Sequence, residues 1–81
     1  MARVVLMDAF KRFTGGRLEF DLGVETIGHL MRELGRQFPE MKPHLEEGVA
    51  VAINGQIFQE TWTEAIPPDA EVHLIPQIGG G

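Results

Sequence analysis

The groups in this chain that could react are quickly exhausted, because its 81 residues include no cysteine and no serine. Without a thiol there is no disulfide, thiolate metal site, CxxC redox pair or thiol nucleophile, and any sulfur chemistry must use sulfur brought from elsewhere. His29, His44 and His73 show neither the HxxxH nor the HxH spacing that sets two imidazoles on one metal ion, so no metal site is expected. No glycine pattern matches a dinucleotide or phosphate loop. What remains is the closing run Gly79, Gly80 and Gly81. Glycine has no Cβ, so its backbone can thread a narrow channel and adopt angles closed to other residues. Three in a row make a slender tail, and the carboxyl of Gly81, with a reference pKa of about 3.5, is ionised at neutral pH. The competing reading is an inert end, since chain termini are commonly polar and tolerant of change.

The body that would hold such a tail is small. At this length there is room for one domain, which buries only about 60 to 65% of the surface its unfolded chain exposes. With 43% hydrophobic and 23% charged residues the composition is that of an ordinary globular protein. A net charge of −5 argues against binding nucleic acid, which needs clustered Lys and Arg to neutralise phosphates. The start MARVVLMDAF lacks the pattern of a signal peptide, and no stretch reaches the eighteen or so apolar residues of a membrane span. A cytoplasmic location is the expectation.

Residues Arg3 to Phe10, opening with apolar Val4, Val5, Leu6 and Met7, predict a strand. Thr14-Gly15-Gly16 supplies a turn, and Leu18, Phe20 and Leu22 then alternate with Arg17, Glu19 and Asp21, the period of a half-buried strand. Lys11, Arg12 and Arg17 would decorate the solvated tip of this hairpin. Ile27, Leu30, Met31, Leu34 and Phe38 fall on one helical face, with Thr26 as N-cap and Pro39 as the stop. Gly28 and Gly35 each weaken that helix by up to about 1 kcal/mol, so packing on a sheet must hold it. FPEMKPHLEEG predicts a connector with one helical turn. Asn54-Gly55, between two apolar runs, predicts a two-residue hairpin turn. Trp62 is expected to anchor its loop by burying its ring. Pro67-Pro68-Asp69-Ala70 predicts a turn, and the last strand should end near Pro76.

This order predicts an α+β domain over residues 1–76, a mixed sheet of four to five strands packed on one main helix, followed by a flexible Gly tail at 77–81. If the last strand returns beside the first, the sheet closes as a β-grasp, the architecture of ubiquitin. With Val4, Leu6, Val49, Val51, Ile53, Val72 and Leu74 turned to the helix, alternation puts Val5, Ala50, Ala52 and Ile75 on the opposite face. Together with Ile78 they would form an apolar partner-binding patch near the tail.

Three segments, ETIGHLMREL, VAVAING and IPPDAEVHLIPQIGG, together resemble the ubiquitin-like sulfur carriers (MoaD/ThiS-like), typified by the small subunit of molybdopterin synthase and the thiamine-biosynthesis sulfur carrier. The resemblance covers nearly the whole chain. It implies a carrier that is not itself an enzyme and binds no cofactor. An ATP-dependent activating enzyme would adenylate the terminal carboxylate, and sulfur would then replace the adenylate. The resulting thiocarboxylate would serve a sulfur-accepting synthase subunit in a cofactor or metabolite pathway, such as molybdopterin or thiamine biosynthesis. The family usually ends in two glycines, so the activated residue is Gly81, or Gly80 if the last residue is trimmed. The alternatives are a ubiquitin-like modifier of lysines, and a β-grasp interaction module of the phage tail-assembly kind.

Overall fold

The computed structural model of the chain describes residues 1–59 and 61–76. The expected tail at 77–81, with Gly79, Gly80, Gly81 and Ile78, lies outside the described residues. Five strands, β1 (Ala2–Leu6), β2 (Glu19–Leu22), β3 (Val49–Ile53), β4 (Gln56–Gln59) and β5 (Glu71–Pro76), form one sheet in the order β2-β1-β5-β3-β4. The outer pairs are antiparallel hairpins, β1 with β2 and β3 with β4. Strand β5 enters between them, parallel to β1 and antiparallel to β3. The last strand therefore joins the two hairpins into a β-grasp sheet, as expected.

Helix α1 (Ile27–Gln37) lies against one face of that sheet and buries Ile27, Leu30, Met31 and Leu34. Its start is set by Thr26, whose hydroxyl accepts from the His29 amide at 3.1 Å. The sheet meets it with Val4, Leu6, Val51, Val72 and Leu74, all nearly inaccessible to solvent. Burying each such side chain contributes about 1.5–3 kcal/mol. The Asn54-Gly55 turn has positive φ at both residues, 50° and 88°, as a two-residue hairpin loop requires.

Three expectations are corrected. The first strand stops at Leu6 rather than running to Phe10, and Asp8–Phe13 form a 3₁₀ helix. The inward side chains of β1 are Ala2, Val4 and Leu6, so one more pair of residues would drive Asp8 into the core, where an unpaired carboxylate is strongly disfavoured. The 3₁₀ turn avoids this and returns Phe10 to the interior instead. The connector is also more helical than expected. A 3₁₀ turn over Pro39–Met41 leads into α2 (Lys42–Glu47), because Met41 and Leu45, four apart, bury together. Finally, Trp62 is not buried but 47% exposed. Ile66 is the buried anchor of that loop.

Candidate functional site

Strand β5 is the middle strand of the sheet and ends at Pro76, beside Val49 of β3. The end of β1 and the 3₁₀ helix that follows it occupy the same end of the sheet, since β1 runs parallel to β5 and Leu6 pairs with Leu74. Two cations of this corner, Arg12 and Arg17, are held over aromatic rings. The Arg12 guanidinium lies 4.8 Å from the centroid of Phe13 and that of Arg17 4.6 Å from Phe20. Phe13 in turn stacks on His44 at 4.8 Å.

The face turned away from α1 is organised in lateral rows, because paired residues on neighbouring strands share a face. Nearest the end of β5 lie Ile75, Ala50 and Gln59. The next row crosses the sheet as Glu19, Val5, His73, Ala52 and Ile57. Beyond it come Asp21, Arg3 and Glu71. The face thus grades from largely apolar near the end of β5 to charged at the far end. Val5, Ala50, Ala52 and Ile75 are brought together on it. Ala50 and Ala52 are only 5% and 9% exposed, so they form the floor between larger neighbours. The accessible apolar surface comes from Val5, Ile75 and Ile57, the last 60% exposed. Ile57 was not singled out in the sequence, although its partner Ala52 was. Its place on this face follows from the Asn54-Gly55 turn, which sets the register.

The charged groups of this face pair with one another. Arg3 is hydrogen-bonded and ion-paired to Glu19 across β1 and β2. His73 Nε2 lies 2.9 Å from Glu71 Oε1, and this hydrogen bond, helped by charge attraction to His73 and Arg3, holds the Glu71 carboxyl below its ordinary range. The three histidines stay apart, His29 on α1, His44 on α2 and His73 on β5. Among the described residues no group of three His, Asp or Glu side chains is placed to hold a metal ion, and no helix is long and apolar enough to cross a membrane.

The profile of the ThiS family matches residues 4–81, nearly the full length of the sequence and including Gly79, Gly80 and Gly81. The chain belongs to the ThiS family. No curated protein sequence matches it. Solved structures similar to this ThiS-family chain include CysO from Mycobacterium tuberculosis, with a TM-score of 0.81 at 17% identity over 96% of this chain and 100% of that one. Another is molybdopterin converting factor subunit 1 from Pyrococcus furiosus, with a TM-score of 0.71 at 20% identity over 95% and 97%. A third is SAMP1 from Haloferax volcanii, at 0.67 and 21% over 99% and 98%. At such identities the likeness is one of fold. Family and fold together are those of the ubiquitin-like sulfur carriers.

Proposed function

We propose that this chain carries sulfur as a thiocarboxylate on its terminal glycine, and that the sheet face around the end of β5 docks the enzymes that load and unload it. The supporting observation is the family match through Gly79, Gly80 and Gly81, on a fold whose last described strand is the centre of the sheet. Members of the family work with activating enzymes and synthase subunits. An activating enzyme would join the terminal carboxylate to the α-phosphate of ATP, releasing pyrophosphate. A sulfur nucleophile then attacks the carbonyl carbon and AMP leaves. Where the donor is a persulfide, a thiol cleaves the resulting acyl disulfide and frees the thiocarboxylate. The protein contributes the handle and the docking surface, and acts as a co-substrate without catalysing the reaction.

The test is to incubate the intact chain with an activating enzyme of the ubiquitin-activating type, ATP and a sulfide source. The expected product has the mass of an oxygen-to-sulfur exchange at Gly81, or at Gly80 after loss of one glycine. An unchanged mass beside an enzyme shown to be active on another carrier would refute the proposal. Conjugates on lysines of other proteins, lost when Gly80 and Gly81 are deleted, would point to a modifier instead.

A further inference from the structure

On the helix side of the sheet a groove of about 210 Å³ runs between α1, α2 and the β3–β4 hairpin. Its floor is apolar, formed by Met31, Leu45, Val51 and Phe58, and the exposed Glu46, Glu47 and Trp62 stand at its lip. Trp62 is the only tryptophan of a chain without tyrosine, and nearly half its surface is open to solvent. A large exposed aromatic beside an apolar groove is a feature of binding surfaces.

The loop that carries the indole is held in place by its backbone. The Trp62 carbonyl accepts the Gly28 amide at 2.8 Å, and the Ile27 amide donates to Glu64 at 3.0 Å. The Ile66 amide donates to Glu25 at 2.8 Å, beside the bridge of Thr26 with Ala65. The loop is thus strapped along the start of α1 while the ring itself is left standing. An aromatic side chain carried on a fixed backbone orders only two torsions on binding, which favours its use as a contact.

The charge at the lip selects the occupant. Two carboxylates and an indole at the lip of one apolar groove complement a Lys or Arg side chain, whose stem would pack on the floor while its cation meets the ring and the carboxylates. The chain's own tail is disfavoured, because its carboxylate would be driven against Glu46 and Glu47. A second copy is disfavoured by a net charge of −5 on each molecule. We infer that this groove docks a short basic segment of a partner protein, with a Lys or Arg seated at the lip beside Trp62, Glu46 and Glu47. The inference concerns the face of the sheet opposite to the one in the proposed function and stands independently of sulfur loading.

The test uses two synthetic peptides, acetyl-ALKLRA-amide and its acidic counterpart acetyl-ALELEA-amide, on the full chain. Trp62 is the sole indole fluorophore, so its emission reports on the groove directly. The basic peptide should shift that emission and the amide signals of Met31, Gly48 and Val49, and its affinity should fall several-fold between about 50 and 200 mM salt. Trp62→Ala, followed by amide signals, should weaken binding by at least about tenfold. The double variant Glu46→Gln and Glu47→Gln, at two exposed positions, should weaken it similarly and keeps the test decisive if Trp62→Ala folds poorly. An equal response to the acidic peptide, or shifts confined to Val5, His73 and Ile75, would overturn the inference. So would a change in Trp62 emission on deleting Gly79, Gly80 and Gly81, which would make the tail the occupant. Self-association that displaces the peptide would make it a second copy.

Discussion

Two glycines in α1 carry the same local penalty, and replacing each by alanine should change stability in opposite directions. On propensity alone, alanine at either position stabilises the helix by up to about 1 kcal/mol. At Gly35 nothing opposes that gain. A Cβ there would meet the Lys42 side chain at 3.7 Å, an ordinary contact with an aliphatic stem that can move. At Gly28 the Cβ would lie 3.0 Å from the Trp62 carbonyl oxygen, which the Gly28 amide itself holds by hydrogen bond. The oxygen belongs to a strapped backbone, so relief requires shifting the loop. Overpacking of this kind costs about 1–3 kcal/mol, and weakening the amide–carbonyl bond adds up to about 1 kcal/mol. The propensity gain offsets only part of that, leaving Gly28→Ala less stable by roughly 1–2 kcal/mol. For a domain of this size about 1 kcal/mol moves the melting temperature by roughly 4–8 °C. Calorimetry should therefore show Gly35→Ala melting a few degrees higher than the parent and Gly28→Ala several degrees lower. Trp62 emission should also change in Gly28→Ala alone, because its loop is what moves. If the two variants melt together, the close approach to Trp62 is not what demands glycine at position 28.

On the outer face, Ile75→Asp should leave the melting temperature within a few degrees of the parent and weaken binding to the activating enzyme by about tenfold or more; unchanged affinity in calorimetric titration would remove Ile75 from the docking surface. Asn54 has φ 50° and its Oδ1 accepts the Glu71 amide at 2.9 Å, so Asn54→Ala should cost about 2 kcal/mol in chemical denaturation and Asn54→Gly about 1 kcal/mol, the first losing both bond and backbone ease. A smaller cost for alanine than for glycine would contradict this. The Glu33 carboxyl is drawn down to about 2 by hydrogen bonds from Arg36 and Gln37. A carboxyl lowered in the folded state adds stability above its ordinary value of 4.5, and that stability is lost as pH falls towards 2. Glu33→Gln should flatten the pH dependence of the melting temperature in that window, by an amount that shrinks with salt because Arg36 is exposed. A Glu33 carbon resonance titrating at 4.5 would refute it.

Periodicity named the elements correctly wherever one side of a segment meets oil and the other water. Leu18, Phe20 and Leu22, the face of α1, and the Asn54-Gly55 turn were each legible because their signals lie within a few residues. The ends of elements were less so. The stop of β1 depends on where Asp8 would point, and α2 shows only as Met41 and Leu45 four apart within a proline-bearing stretch. Trp62 was misjudged because ring size suggests burial, whereas backbone hydrogen bonds of its loop to Ile27 and Gly28, distant in sequence, decide where that residue sits.

Composition and local order were enough to exclude thiol and serine chemistry and to single out Gly79–Gly81, since those are properties of residues taken alone. The outer face needed the pairing of β5 between β1 and β3, which sets Ile75 beside Ala50 and His73 beside Val5 and, through β3, lines up Ile57 with Ala52. The groove under Trp62 needed α1, α2 and β4 packed together. Such contacts join segments tens of residues apart, and they are settled by which apolar faces can be buried together in the folded chain.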